Sequence, residues 1–570
     1  MNDKLVYDLS LETEGVPNVF IRKDWLNILD NQNGNYQGNQ SVIDTSQISN
    51  ANKFMNYREA YLAIPLLLSV EATANAGNDV NIGVGGVGLK NWFGQIIHSF
   101  NLDYNGSTVI QQTNFINMWN SFKLLTSLNY DDIELHGATI GFYPDIPDAF
   151  EYSVDGAIGI GNSNCDVSEI LNVGNFQNQL VAAPANINGN TGLQRRIKNI
   201  NFLTSVANTY DNYTTNERFA SMWLSNVSSR NAAAVELPLM QVSVMAVVYL
   251  KHLSSFFNFV PLLKGAFMKI TMSFNSGTST VTADSVNFRT YDNVNTTGGT
   301  NPLLIPSHRT GSNWIANIGG AGANAITLKY NISVGNRCLD NQMPLARNEL
   351  GNVASNIYLY VPAYSFNPTF YDAYIASSPK RVVYTDVYQY QVPRIQTPSF
   401  NTLISNGISN IKSVLVIPFL ATNLKNTVAP NNVEVVYPQW QSPFDTAGSG
   451  TTAPFALIKN FQVQISGQNA VYNNQQYSFE EFNNQLLGCN GVNGGLLDGV
   501  TSGLIDFQGF KNSYCYYYVN VERMLPSEKN VPKSVQISGI IQHAKDLELM
   551  VFVEYENSMK FDLQTGARVA

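Results

Sequence analysis

The chain has 570 residues, of which 13% are charged and 11% aromatic, with 41 glycines and a net charge of −9. This describes apolar material for large cores joined by many neutral turns, enough length for roughly three or four ordinary domains. No basic run stands out, so a direct grip on nucleic-acid phosphates, which needs clustered Lys and Arg, is excluded as an expectation.

Residues 1–40 read as an extended arm, with the apolar cluster Val19-Phe20-Ile21, Trp25-Leu26 and Ile28-Leu29 followed by the polar run Asn31 to Gly38. Strand signals start at Ser41 to Asp44 and continue through Tyr61 to Val70. Gly83 to Gly88 spells G-x-G-x-x-G, but Leu89 to Gly94 leads from it into a hairpin, not the helix a nucleotide fingerprint requires, so it reads as a connector. Asn101 to Tyr104 alternates polar with apolar, Asn105-Gly106 is a hairpin turn signal, and Phe115, Met118, Trp119, Phe122 and Leu125 fall at helical spacing.

Residues 141–235 have no counterpart elsewhere in the chain and read as an elaborated loop of the kind that carries recognition. Strands return from Leu237 to Phe274, with Phe256 to Gly265 expected as two strands around a turn, and polar loops follow within 292–324. Ile357 to Phe366 reads as a strand, Asn367-Pro368 opens a helix to Ala376, and the tyrosine-rich alternation of Lys380 to Val392 is expected to close a first domain spanning 41–392. Residues 393–410 then serve as linker, 411–562 as second domain and 563–570 as a loose tail.

Two domains are favoured because the chain repeats itself. Tyr61 to Ser69, YLAIPLLLS, returns as VLVIPFLAT at Val414 to Thr422, and Ile96 to Ile110 returns as Leu457 to Val471. The second pair keeps the alternating strand and places Ser466-Gly467 where the first copy has Asn105-Gly106. A helix follows each hairpin; in the second copy Ser478 and Glu481 have capping-box spacing, and Tyr477 stands where it can staple to Phe482.

Chemistry is sparse. Asp131-Asp132-Ile133-Glu134-Leu135-His136 is the densest set of potential ligands; as a strand it would put Asp132, Glu134 and His136 on one face, yet nothing else closes a metal site, and a solvated strand or loop end is expected. The five histidines, His98, His136, His252, His308 and His543, form no metal motif. Cys165, Cys338, Cys489 and Cys515 show no C-x-x-C spacing and read as buried free thiols. No nucleophile elbow or P-loop is present, so no catalytic, cofactor-binding or metal residue is assigned and no enzyme is expected. Asn105, Asn212, Asn226, Asn295 and Asn331 begin N-x-[ST] sequons, read as unmodified turn asparagines because MNDKLVYDLS predicts no signal peptide.

Two tandem strand-rich domains, each with an Ile-Pro strand, a hairpin and a helix, resemble the double jelly-roll major capsid proteins of the PRD1/adenovirus lineage. The segments Phe20-Ile-Arg-Lys-Asp-Trp-Leu, Arg58-Glu-Ala-Tyr-Leu-Ala-Ile-Pro and Ile357 to Val392 look most like those of polinton-like viruses and virophages. The resemblance implies an all-β fold of two tandem eight-stranded antiparallel jelly-roll β-barrels with short helices and long loops. It further implies a homotrimeric, pseudo-hexameric capsomer tiling the icosahedral shell of a double-stranded DNA virus, assembled in host cytoplasm or nucleus and located in the virion. Neighbouring capsomers, penton and minor capsid proteins, and an internal membrane reached by the N-terminal arm are the implied partners, with no cofactor. The competing expectations are a lectin-like β-sandwich that stacks aromatics on sugars, and a viral penton or spike protein.

Overall fold

The computed structural model describes residues 18–73, 86–144, 237–283, 326–335, 356–420, 458–471, 477–487, 503–521, 530–541 and 547–569, a few residues inside these ranges aside, with isolated short strands between them. Two sandwiches of eight strands each form the body, and Ile326–Val334, Gly277–Ala283 and Thr290–Thr296 add to one sheet of the first along the Leu66–Thr73 end of its Tyr61–Thr73 strand. In the first sandwich, β1 (Phe20–Leu29), β2 (Gln40–Asp44), β3 (Tyr61–Thr73), β4 (Ile97–Tyr104), β5 (Ser107–Thr113), β6 (Leu237–Tyr249), β7 (Met268–Phe274) and β8 (Tyr358–Phe366) follow in chain order. One sheet runs β1, β8, β3, β6 and the other β2, β7, β4, β5, all antiparallel.

The second sandwich repeats the plan. Its strands are β9 (Lys380–Ile395), β10 (Ser399–Ile408), β11 (Ile411–Leu420), β12 (Ile458–Ile465), β13 (Gln468–Asn469), β14 (Tyr517–Asn520), β15 (Lys533–Ile541) and β16 (Leu547–Phe561). They pair as β9, β16, β11, β14 and as β10, β15, β12, β13. In both copies the first, third, sixth and eighth strands form one sheet, and the second, fourth, fifth and seventh the other. That order is the jelly roll, two Greek keys folded face to face.

The repeats seen in the sequence occupy equivalent places. YLAIPLLLS lies in β3 and VLVIPFLAT begins in β11, each the third strand of its copy, and the two hairpins join β4 to β5 and β12 to β13. Both hairpin turns have positive φ at both central residues, Asn105 47° with Gly106 79° and Ser466 51° with Gly467 82°, the type I′ geometry. Apolar residues stand at both parities of the third strand because both its faces are covered: Leu62 to Leu67 and Ser413 to Phe419 are buried throughout. By contrast β7 and β15 alternate buried and wetter positions, as strands with one face towards solvent do.

Helices α1 (Ile116–Ser127) and α2 (Tyr130–Ile140) follow the first hairpin, short turns α3 (Leu250–Leu253) and α4 (Phe256–Phe259) follow β6, α5 (Pro368–Ala376) bridges the sandwiches, and α6 (Phe479–Leu487) follows the second hairpin. At α5 the Asn367 side chain accepts from Thr369 N–H, with Pro368 in the first turn where no N–H is needed.

Several boundaries differ from the sequence expectation. Phe20–Leu29, assigned to an arm over 1–40, is β1 of the first sheet, and Gln40–Asp44 is β2 of the other, while residues 1–17 lie outside the described residues. Lys380 to Val392 does not close the first barrel over 41–392; β9 opens the second by pairing with β16, and the expected linker 393–410 is mostly the end of β9 and all of β10. Alternation marks a strand and its wet face but not its hydrogen-bonding partner, which is chosen across more than a hundred residues. The expected tail 563–570 is anchored, since Arg568–Val569 pairs with β16 and Leu563 is fully buried. Phe256 to Gly265 contains the helical turn α4 where two strands were expected. Asp131 to His136 lies in α2, because Asn129 and Asp132 form a reciprocal capping box. The loops 141–235, 292–324 and 488–503, and all four cysteines, fall largely or wholly outside the described residues.

Candidate functional site

The side chains that make one block out of two barrels come mainly from α1, β5 and β9. Helix α1 belongs to the first copy by chain order, yet its aromatic side reaches the second. Phe122, fully buried, packs 5.0 Å from the Tyr516 ring and 5.4 Å from the Tyr518 ring, and Trp119 lies 6.1 Å from Phe552. Beside them the Lys123 ammonium meets the Glu554 carboxylate at 3.3 Å, and Ser413 Oγ donates to the same carboxylate at 2.9 Å.

Strands β5 and β9 continue the seam with hydrogen bonds. Gln111 N–H donates to Asp386 Oδ2 at 3.1 Å, Thr113 Oγ1 to the Val387 carbonyl at 2.6 Å, and Tyr384 OH to the Val109 carbonyl at 2.8 Å. Burial pushes the Asp386 carboxyl above the ordinary aspartate range, opposed by donation from Gln111 N–H, Val387 N–H and Tyr555 OH. Ser255 donates to the Thr385 carbonyl at 3.0 Å and accepts from Thr385 N–H at 2.8 Å. The C-terminal segment closes the seam, since the Gly566 carbonyl accepts from Tyr104 OH and from Asn105 Nδ2. The bonds from Lys123, Gln111, Thr113, Tyr384, Ser255, Tyr104 and Asn105 cross the boundary, while Ser413 and Tyr555 hold Glu554 and Asp386 from within the second barrel, so the interface is built as permanent structure.

A second feature lies on the outer face of the first sheet. Register sets Tyr61 directly between Tyr249 and Tyr360, its ring stacked 5.1 Å from Tyr360 and 5.7 Å from Tyr249, with Trp25 5.7 Å away on the other side. These tyrosines are half-buried, and Trp25 is 51% exposed. Lys23 stands 5.4 Å from the Trp25 ring centre and Lys251 5.3 Å from that of Tyr249, so a cation flanks each end. Among the described residues β1 pairs on one side only, and its Ile21 is 67% exposed. An aromatic row beside an open strand edge is a surface suited to a protein partner. The sequence carried a signal for it, the tyrosines of Tyr358-Leu-Tyr-Val at positions where a wet strand face would hold polar residues, but not the register that lines up three strands.

A cleft of about 690 Å³ separates α1 and α4 from β9, with Arg58 and Lys251 among its lining residues, Trp119 and Phe259 on its walls, and Asp386 from the second barrel.

The one ligand-like cluster of the sequence is not assembled into a site. On α2, Asp132 and His136 are four positions apart and fall on one face, about 40° from each other, while Glu134 lies about 200° from Asp132 on the opposite side, so the three do not converge. No group of three His, Cys, Asp or Glu side chains that could hold a metal occurs among the described residues. Burial lowers His98 to about 4 and His252 to about 3, leaving both rings neutral; His98 lies edge-on to Phe115 at 4.8 Å and His252 edge-on to Trp92 at 6.2 Å. No helix among the described residues is long and apolar enough to cross a membrane.

The strand order decides the architecture. The chain is a double jelly roll. Solved structures similar to it include that of the Sputnik virophage, 9% identical over 98% of this chain and 91% of that one with a TM-score of 0.48. The Faustovirus major capsid protein is 10% identical over 96% and 92%, with a TM-score of 0.44, and the mavirus major capsid protein 9% identical over 100% and 94%, with a TM-score of 0.39. No protein-family model and no curated protein sequence matches the chain.

Proposed function

We propose that this chain is a major capsid protein, a structural subunit without catalysis, in the shell of a double-stranded DNA virus. The observation that carries the proposal is the repetition of one jelly roll twice in a single chain, joined by a buried and hydrogen-bonded seam. A rigid two-barrel block arranged about a threefold axis presents six similar barrels, so one protein fills hexagonal lattice positions of a closed icosahedral shell. The similar Faustovirus and mavirus proteins are major capsid proteins. The open edge of β1 and the aromatic row supply one side of a subunit contact, which in a threefold ring meets a different surface of the neighbouring copy. Neighbouring capsomers, penton and minor capsid proteins, and an internal membrane complete the proposed partners. Assembly takes place in host cytoplasm or nucleus.

The test is the native mass of the purified chain by light scattering, with negative-stain images of the same peak. A trimer is expected at about 189 kDa, three times 62.9 kDa, with a hexagonal outline. A monomer that binds glycans would overturn the proposal in favour of a carbohydrate-binding protein, a reading that the Trp25, Tyr61, Tyr249 and Tyr360 row also fits, since sugars stack on such rings.

A further inference from the structure

The cleft beside the seam holds more positive charge than its own walls neutralise. Arg58 and Lys251 both line it, and neither makes an ion pair with a described residue. The acids near them are engaged elsewhere: Glu59 takes Lys23 at 2.7 Å and Asn56 at 3.0 Å, and Asp132 caps α2. Asp386, at the far wall, accepts from Gln111, Val387 and Tyr555. Burial and then the Arg58 charge lower the Lys251 pKa, against the smaller opposing pull of Asp132 and Glu59. Asn120, 3% exposed, also lines the cleft, and its amide nitrogen has no acceptor among the described residues. Trp119, Leu128, Leu253 and Phe259 make the apolar part of the wall, and Phe259 is 61% exposed. The cleft therefore suits an extended peptide that is acidic on one side and apolar on the other.

The chain contains such a peptide. Residues 1–17 carry Asp3, Asp8, Glu12 and Glu14 against Lys4 alone, and Leu5, Tyr7, Leu9 and Leu11 alternate with Val6, Asp8, Ser10 and Glu12. Strand β1 brings this segment close, since Lys23 is bonded to Glu59, the residue after Arg58. Seventeen residues in extended form reach up to about 60 Å.

We infer that residues 1–17 dock in the cleft of their own chain, with Asp8, Glu12 or Glu14 facing Arg58 and Lys251 and the Leu5, Tyr7, Leu9 and Leu11 side lying against Trp119 and Phe259. The docked segment ties the beginning of the chain to the seam between the barrels, a latch that does not depend on the capsid reading. The test places a photoreactive benzoylphenylalanine at Tyr7 in the full-length protein and maps crosslinks by mass spectrometry in a mixture of light and heavy isotope-labelled chains. Crosslinks are expected in peptides carrying 116–128 or 251–259, within one label type only. They fall to background in R58E/K251E, whose two changes lie at exposed positions, and return when D8K/E12K/E14K is added to it. Crosslinks elsewhere, their absence in the wild-type sequence, mixed-label products, or failure of the charge swap to restore them each overturn the inference; mixed-label products reassign the segment to a neighbouring copy.

Discussion

Phe122 is the side chain on which the one-block description of this molecule can be tested most directly. It is carried by α1, in the first copy, but its ring is fully buried against Tyr516 and Tyr518 of the second. Phe122→Ala removes a buried ring and leaves a cavity between barrels, which costs about 3–5 kcal/mol in well-packed sites. The two ring contacts, each worth about 0.5–1.5 kcal/mol beyond burial, place the expected value towards the upper part of that range. At roughly 2–4 °C per kcal/mol for a domain of this size, thermal unfolding should start about 6–20 °C lower. The informative assay is hydrogen exchange resolved by peptide, with circular dichroism for the overall transition. If the seam is permanent, protection falls in β14 and β16 of the second barrel as well as in α1. A loss of less than about 1 kcal/mol, or protection lost in α1 alone with the second barrel unchanged, refutes the reasoning, because α1 would then be an ornament of the first barrel.

Three further expectations follow from other parts of the molecule. Gly566 has φ +68°, and a Cβ there would lie 2.4 Å from the Lys264 carbonyl oxygen, so Gly566→Ala should cost about 1–3 kcal/mol and free the C-terminal segment, read as faster proteolysis after Leu563. Burial depresses His98 from 6.5 to about 4, so its neutral form contributes stability that is complete above pH 6.5 and is lost as pH falls towards 4; the loss is on the order of 3 kcal/mol and His98→Leu should flatten that part of a urea-midpoint profile. Removal of residues 1–17 should lower the thermal midpoint by only the docking energy lost, about 2–4 °C per kcal/mol, and leave a folded protein, whereas removal of 1–35 takes β1 from the first sheet, exposes the Tyr358–Phe366 edge, and should give aggregated or unfolded protein in size-exclusion chromatography.

How much of this was legible beforehand varies with the range of the forces involved. Local chemistry was readable: Asn105-Gly106 and Ser466-Gly467 fold as the turns their residue types demand, Asn367-Pro368 starts a helix, and the Ile-Pro strand recurs at the same step of both barrels. The capping-box spacing at Ser478 and Glu481 also holds in part, with Ser478 Oγ accepting from Glu481 N–H at 3.4 Å, but Tyr477 packs on Phe461 and Tyr517 and donates its hydroxyl to the Tyr518 carbonyl. Asp131 to His136, expected as a solvated strand or loop end, is helical because the Asn129 cap three residues before Asp132 starts a helix there.

The sequence by itself determined the strands, their turns and the duplication, since alternation, turn residues and repeated motifs act within a few positions. Only the tertiary structure decided which strand joins which sheet. Lys380–Ile395 pairs with a partner more than 150 positions away, and nothing in its own residues distinguishes closing one barrel from opening the next. The same holds for the seam and the aromatic row. Phe122 reads in sequence as one more apolar helix position, and Tyr61, Tyr249 and Tyr360 as three unrelated tyrosines, until hydrogen-bond register and packing bring their rings together.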